Sequence, residues 1–178
     1  AAGAPRPPHA ARCRYPSPMT APDSPSSPRI AAEPAALGFR LMAMIYDLLP
    51  LGALWFATAA LVLLARGGAP VTPGSPAAYL EFALMLAVGF GYFGLSWRRG
   101  GQTLGMRAWR LRLVRYDGES SPEWGELARR YLAAGVSLAA FGLGYLWSLI
   151  DPERRTWHDL ASHTAVVRLP KPGKTRGG

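Results

Sequence analysis

Residues 41–65 read LMAMIYDLLPLGALWFATAALVLLA, and Asp47 is the single charged residue among them. A helix over this run measures roughly 37 Å, which is enough to cross a hydrocarbon core of about 30 Å with some tilt. Pro50 lies inside the run, and membrane helices tolerate proline where neighbouring groups satisfy the freed carbonyl. The pattern therefore predicts a first membrane-spanning helix.

A second apolar run covers Ala77–Trp97, where Glu81 is the only charged residue. Tyr79 and Trp97 lie near its two ends, which is where aromatic side chains favour the membrane interface. The alternative is a buried helix of a soluble protein. Two runs of about 20 residues or more argue against it in so short a chain. We predict an all-α membrane protein with two firm transmembrane helices.

The third apolar run, Tyr131–Ile150, has no charged residue but contains several Gly and Ser residues. It is long enough to cross the membrane. The segments on both sides of it are basic, whereas the loop between the first two runs carries only Arg66. Because cytoplasmic loops are enriched in Arg and Lys, this bias places the N-terminus and residues 98–130 in the cytoplasm and draws the C-terminus there too. Two alternatives stay open for the third run, a full span and a re-entrant segment.

The residues between the runs predict a small cytoplasmic-side element, made from residues 101–118 and 155–169. Leu111–Tyr116 briefly alternates apolar and basic side chains before a tight turn at Asp117-Gly118, as a short strand does. We expect Leu111–Val114 to pair with Ala165–Arg168, so that the element contains two short strands.

Both ends of the chain are predicted to be flexible. Residues 1–36 are rich in Pro, Ala and Ser, and such a segment buries too little apolar surface to offset its ordering entropy. Met19 offers an alternative start, so we expect residues 1–18 to be an extension from an over-long gene model. The folded membrane domain is expected at residues 37–169, followed by a flexible basic tail at 170–178.

Composition and motifs exclude several classes of protein. The net charge of +9 would suit nucleic acid, but the arginines flank apolar runs and no nucleic-acid-binding motif accompanies them. A single cysteine, Cys13, permits neither an intrachain disulfide nor a cysteine-rich metal cluster. No nucleophile–base pair and no cofactor fingerprint is present. We therefore predict a protein that is not an enzyme, binds no nucleic acid and needs no cofactor.

Two local patterns resemble binding motifs but lack a required part. Residues 101–105, GQTLG, lack the Lys-Ser/Thr pair and the preceding strand of a phosphate-binding loop. His158 and His163 are five residues apart and do not share a helix face. We expect His158 and Asp159 to be hydrogen-bonded structure and predict no metal site.

The first helix carries the charged residues most suggestive of a site. A carboxylate two turns into a membrane helix is costly and is a functional-site hypothesis by default, and Asp47 is such a group. Arg40 precedes it by seven residues, which returns to nearly the same helix face. The alternative is that Arg40 extends to the lipid headgroups and Asp47 pairs structurally with another arginine.

Three motifs occur in order along the chain: GFRL at 38–41 with Asp47, GQTLGMR at 101–107 followed by LRLV at 111–114, and RTWHD at 155–159 with TAVV at 164–167. Over about residues 36–169 this combination resembles the RDD family of bacterial membrane proteins. Met106 and Trp157 depart from the residues common in the family. The resemblance implies that Arg40, Asp47 and Asp159 are the Arg and two Asp of the family's name. It adds a set of motif-supporting residues: Gly101, Thr103, Gly105, Arg107 and His158.

The resemblance implies an ion or small-ligand transporter component in the bacterial cell (inner) membrane. In that hypothesis Asp47 titrates or binds a cation, and Arg40 and Asp159 gate or orient it. So small a chain would then need a homo-oligomer or a membrane-protein partner. The alternative is a non-catalytic membrane scaffold in which the same three residues are a structural lock. Under both hypotheses we expect Arg40, Asp47 and Asp159 to form one electrostatic cluster at the cytoplasmic mouth of the helices.

Overall fold

The structure is a computed structural model that describes residues 33–116 and 121–170. Two long helices form an antiparallel hairpin, α1 at Leu37–Ala65 and α2 at Pro76–Gly100, and both are long and apolar enough to cross a membrane. The start of α2 is fixed by Ser75, whose side chain accepts a hydrogen bond from the Ala78 amide, with proline at the first helical position. The predicted fold class is confirmed, with two candidate spans and a small sheet.

The hairpin contributes little to the buried core. In the most apolar 18-residue stretch of each helix, only 6% of the residues of α1 and 11% of those of α2 are buried inside the protein. Most of their apolar side chains therefore face outward, as lipid-facing residues do. The two helices are joined within the span by the Trp55 indole, which donates a hydrogen bond of 2.9 Å to the Met85 carbonyl.

The core lies at the end of the hairpin where α1 begins and α2 finishes, which we call the sheet end. The short helix α3 at Leu104–Ala108 packs there against α1, together with the strands β2 at Leu111–Arg115 and β3 at Thr164–Arg168. Eight buried side chains form this core: Ala35, Ala43, Trp97, Met106, Leu111, Leu113, Leu127 and Val166.

The sheet includes a further strand, β1 at Glu33–Pro34; its order is β1-β3-β2, and both pairings are antiparallel. In the register of β2 and β3, Leu111 lies opposite Arg168 and Val114 lies opposite Ala165. The predicted pairing of Leu111–Val114 with Ala165–Arg168 is therefore confirmed.

The sheet has a third strand, which begins four residues before the predicted domain boundary at residue 37. β1, at Glu33–Pro34, pairs with Arg168 and Val167 of β3, and Ala35 is buried. Proline at an edge strand removes no hydrogen bond from the centre of a sheet, so Pro34 is compatible with the position. Residues 1–32 and 171–178 lie outside the described residues, and their predicted flexibility stays a prediction.

The third apolar segment is bent and is not one straight helix. It consists of α4 at Trp124–Ala139, α5 at Leu143–Leu146 and a 3₁₀ turn at Trp147–Leu149, with a bend of 107° between α4 and the rest. Gly142 sits at the bend in the left-handed region, with φ of 79°. The helix α6, at Trp157–Ser162, follows and packs against α4. Since the strands before and after the segment are neighbours in one sheet, the segment returns to the sheet end, as a re-entrant segment does.

Candidate functional site: a carboxylate between two arginines and a capped helix start

Two arginines from different helices share the carboxylate of Asp159. Nη1 of Arg40, on α1, donates to Oδ2 of Asp159 at 2.5 Å, and Nη1 of Arg130, on α4, donates to Oδ1 at 2.6 Å. The three side chains are 6%, 4% and 0% exposed. We call these residues the Asp159 cluster. It ties α1, α4 and α6 together through charged hydrogen bonds that are shielded from water.

Local sequence explains why Asp159 is held so firmly. It is the third residue of α6 and forms a capping box with Thr156, since each side chain accepts a hydrogen bond from the other residue's backbone amide. This arrangement satisfies amide groups that the start of a helix otherwise leaves unpaired. The carboxylate is therefore oriented by its own helix as well as by the two arginines.

Each arginine also bonds groups outside the ion pair. Arg40 donates to the carbonyls of Ala35 at 3.0 Å and Arg154 at 3.1 Å, and to that of Val166 at 3.4 Å. Through these bonds it joins α1 to the sheet and to the loop before α6. Arg130 donates to the Thr164 hydroxyl at 2.9 Å and lies over the indole of Trp97, 5.3 Å from its centroid. The cluster thus connects α1, α4 and α6 with β3 and the loop before α6.

The electrostatics of Asp159 follow from its neighbours. Burial alone would raise its pKa, but the guanidinium groups of Arg130 and Arg40 outweigh that effect and hold the pKa below its usual range. The carboxylate therefore stays ionised at physiological pH, and the cluster keeps one net positive charge from its three members.

Asp47 lies in a different environment. Its Oδ1 accepts hydrogen bonds from the Tyr92 hydroxyl at 2.7 Å and from the Gly105 amide at 2.9 Å, and its Oδ2 accepts one from the Thr103 hydroxyl at 2.5 Å. The residue is 4% exposed. Thr103 is also the N-cap of α3, and its hydroxyl accepts a bond from the Met106 amide. This Asp47 site therefore joins α1 to α2 and to the first turn of α3.

The close approach of α3 to α1 depends on Gly105. A Cβ atom at this position would collide with the Ala43 carbonyl oxygen, and it would lie 2.9 Å from the Ala43 carbonyl carbon and 3.0 Å from Cγ of Asp47. Two of these contacts are with backbone, which cannot rotate away. Glycine is required here because the backbone of α3 lies directly on the backbone of α1.

A family model described as the RDD family matches residues 34–163. The chain belongs to the RDD family. No curated protein and no solved structure matches it. The Arg and two Asp assigned by motif position all lie in the two sites just described, Arg40 and Asp159 in one and Asp47 in the other.

The expected single cluster of the RDD residues is half right. The pairing of Arg40 with Asp159 is confirmed, but Asp47 is not part of it, because its described hydrogen bonds go to α2 and α3 and none goes to the Asp159 cluster. Both residues lie on the buried face of α1. They are separated along the axis by roughly 10.5 Å, and α3 packs between that face and solvent at the Asp47 level.

Sequence reasoning missed Arg130, the second partner of Asp159, and Tyr92, a partner of Asp47. In the sequence, Arg130 contributes only to the basic charge of residues 98–130. A signal for it was present, since Glu126, Leu127 and Arg130 recur at helical spacing, and the structure buries all three on one face of α4. Tyr92 gave no such signal because its surroundings are apolar throughout.

The motif-supporting residues of the RDD pattern have separate structural tasks. Gly101 ends α2 in the left-handed region, with φ of 67°, and its carbonyl accepts a bond of 2.7 Å from the Leu113 amide. Thr103 and Gly105 bond Asp47. Arg107 is exposed. His158 is 5% exposed and packs against Tyr145, with ring centroids 4.7 Å apart.

Within residues 33–116 and 121–170, no group of three or more His, Cys, Asp or Glu side chains could hold a metal ion.

Two substitutions of Arg40 should distinguish the contribution of its charge to stability from that of its hydrogen-bond geometry. We expect Arg40→Ala to destabilise the protein by about 3–5 kcal/mol, because it leaves a buried carboxylate with one cation fewer and removes three hydrogen bonds to carbonyls. Arg40→Lys keeps the charge but has a single nitrogen, so we expect a smaller loss. Thermal unfolding of the purified variants in neutral detergent measures both. Equal midpoints for the two variants would contradict a role for the charge.

His158 should make the protein sensitive to mild acid. Burial, followed by the nearby Arg130 charge, lowers the pKa of His158 from 6.5 to about 3. The unfolded chain therefore binds a proton at a higher pH than the folded one, and the free energy of unfolding should fall as the pH drops below about 6.5. The slope approaches roughly 1.4 kcal/mol per pH unit for one proton. Unfolding measured between pH 7 and pH 5 should show this slope in the wild type and a flatter profile in His158→Gln.

Proposed function

We propose that this RDD protein is a non-catalytic membrane scaffold, in which the family's Arg and two Asp form a structural lock. One observation carries the proposal: each of the two carboxylates is bonded by three donors of the chain itself. Asp159 accepts bonds from two arginines and from its own helix cap, and Asp47 accepts bonds from three donors. Buried polar groups bonded in this way hold elements in place, and they leave about one of a carboxylate's four acceptor sites for a ligand.

The depth of Asp47 supports the lock. The buried residues of α1 before it, Arg40 and Ala43, contact the sheet end and α3, so this part of α1 is covered by protein. Residues 48–65 then measure about 27 Å as a helix, which by itself matches the hydrocarbon core. Asp47 accordingly belongs at the boundary of the core.

The apolar parts of α1 and α2 beyond Asp47 have no charged side chains along which an ion path could continue across the membrane. Residues 48–65 and 82–97 contain no charged residue. Thr58, buried on α1, directs its hydroxyl to the Leu54 carbonyl of its own helix. A pocket of about 310 Å³ lies near the start of α1, and neither Asp47 nor Asp159 lines it.

Charge distribution supports a cytoplasmic position for the sheet end, in the bacterial cell membrane. The cytoplasmic position of the sheet end is tested with single cysteines, which are introduced at exposed positions into a Cys13→Ser protein. Ser121→Cys and Pro170→Cys flank the third segment, and Thr72→Cys lies in the turn between α1 and α2. A membrane-impermeant thiol reagent applied to intact cells should label Thr72→Cys alone. Labelling of only one of the first two variants would refute the re-entrant arrangement.

A second candidate function is ion transport by an oligomer, and one observation favours it. Asp47 is buried, yet its described hydrogen bonds come only from uncharged donors, two hydroxyls and an amide. A carboxylate without a basic partner is the kind of group that exchanges a proton or a cation. Because the hairpin encloses no aqueous channel of its own, transport would require a second copy of the chain or another membrane protein.

Ion flux in proteoliposomes separates the two functions. Purified wild-type protein is reconstituted beside Asp47→Asn and protein-free liposomes, and Na⁺, K⁺ and H⁺ fluxes are measured under an imposed gradient. The scaffold proposal predicts rates equal to those of empty liposomes for both proteins. Flux in the wild type that Asp47→Asn abolishes would replace the scaffold proposal with the transporter.

A further inference from the structure

Four exposed arginines surround the end of α2. Arg98 and Arg99 occupy its last turn. Two more approach the glycines that follow: Nη2 of Arg107 lies 3.6 Å from where a Cβ of Gly100 would be, and Nε of Arg112 lies 3.3 Å from the corresponding position of Gly101. We call Arg98, Arg99, Arg107 and Arg112 the arginine rim. Its four members come from α2, α3 and β2, which are three different elements of the chain.

The arginine rim carries uncompensated charge. No acidic side chain in the described parts of the chain forms an ion pair with any of its four members, whereas Arg40, Arg115, Arg130 and Arg155 all have such partners. The carboxyl end of a helix presents only about half a negative charge, which is far less than four guanidinium groups supply. Neutralising the partial negative charge at the end of α2 therefore does not explain why four arginines are present in the rim.

The rim lies where lipid headgroups would be. The 25 residues of α2 measure roughly 37 Å, several ångströms more than a hydrocarbon core of about 30 Å, so its last turn emerges from the core. Arg98 lies over the ring of Trp124, 5.8 Å from its centroid, and Trp124 is exposed. Exposed tryptophan next to arginine is typical of the membrane interface.

We propose that the arginine rim binds the phosphate of an anionic phospholipid. Guanidinium groups recognise phosphate oxygens through paired, charge-assisted hydrogen bonds. The absence of a side chain at Gly100 and Gly101 lets Arg107 and Arg112 lie against the end of α2, beside Arg98 and Arg99. The proposal concerns a lipid site and holds for the scaffold and the transporter alike, so it fails or succeeds independently of the proposed function.

The test measures lipid binding to purified protein in neutral detergent by native mass spectrometry. The probes are dioleoylphosphatidylglycerol and the zwitterionic dioleoylphosphatidylcholine. We expect tighter binding of the anionic lipid, weakened about fivefold for each arginine removed and about 25-fold in Arg107→Gln/Arg112→Gln. The charge-matched control is Arg66→Gln/Arg154→Gln, which alters two exposed arginines outside the rim and should change binding less than about twofold.

Three outcomes would overturn the site: equal affinity for the two lipids, equal losses in the rim variant and its control, or displacement of the anionic lipid by millimolar inorganic phosphate. The last would assign the rim to free phosphate. If Arg107→Gln/Arg112→Gln fails to fold, Arg99→Gln provides the same test, because the Arg99 side chain is exposed. It should lose about fivefold, and unchanged affinity there refutes the proposal.

Discussion

Asp159→Asn should destabilise this protein more than any other single charge substitution, by at least about 3–5 kcal/mol. The carboxylate is wholly buried between Arg40 and Arg130, whose side chains are 6% and 4% exposed. Removing its charge leaves two guanidinium groups together in a site without water. Each then repels the other and lacks a counter-ion, which costs more than the loss of one surface pair.

Thermal unfolding in neutral detergent measures this loss, with Glu153→Gln as the matched control. Glu153 pairs with Arg155 at 3.0 Å, but its side chain is 66% exposed, and such pairs contribute at most about 1 kcal/mol. Asp159→Asn should unfold at a much lower temperature than the wild type or fail to fold, whereas Glu153→Gln should match the wild type. Similar midpoints for both variants would show that the Asp159 cluster is dispensable.

Gly105→Ala should be the most damaging change that adds only a methyl group. The new Cβ would overlap the Ala43 carbonyl group of α1 and approach Cγ of Asp47 to 3.0 Å. α3 must then move away from α1, which breaks the bond between the Gly105 amide and Asp47. Overpacking typically costs about 1–3 kcal/mol, and loss of a bond to a charged acceptor adds about 1.5–3 kcal/mol.

The control for Gly105→Ala is Gly52→Ala on α1. Nothing lies within 4 Å of a Cβ at Gly52, and alanine is about 0.5–1 kcal/mol more favourable than glycine inside a helix. Gly52→Ala should therefore unfold at the wild-type temperature or slightly above it. A Gly105→Ala protein as stable as Gly52→Ala would mean that α3 does not rest on α1 as described.

Local patterns predicted much of the fold, and they did so where lipid or pairing imposes a strong constraint. Long uncharged runs are hard to place anywhere except in a membrane, so both spans were predictable. The register of Leu111–Val114 with Ala165–Arg168 followed from one alternating run before a turn and from the charge bias that brings both segments to one side. The third segment stayed open in sequence because 20 apolar residues suit either a span or a bent return.

The predictions that differ from the structure share a physical cause: local composition carries no information about partners that are distant in the chain. Pro34 and Ala35 belong to a segment whose composition indicates disorder, yet the backbone of β3 provides a pairing edge for them. Asp47 and Arg40 share a helix face, and that face alone favoured one cluster. Two of the three hydrogen-bond partners of Asp47, Thr103 and Gly105, are more than 50 residues away in the chain.

The midpoint of thermal unfolding of Asp47→Asn in neutral detergent tests the structural lock most directly. Asparagine offers one acceptor oxygen where the carboxylate offered two, and it turns three charge-assisted bonds into at most neutral ones. The lock predicts a loss of about 2 kcal/mol and a lower midpoint than the wild type, with Tyr92→Phe, which removes one donor, falling between them. A midpoint equal to or above that of the wild type would show that the charge of Asp47 costs stability, and it would contradict the lock in favour of an ion-coupling site.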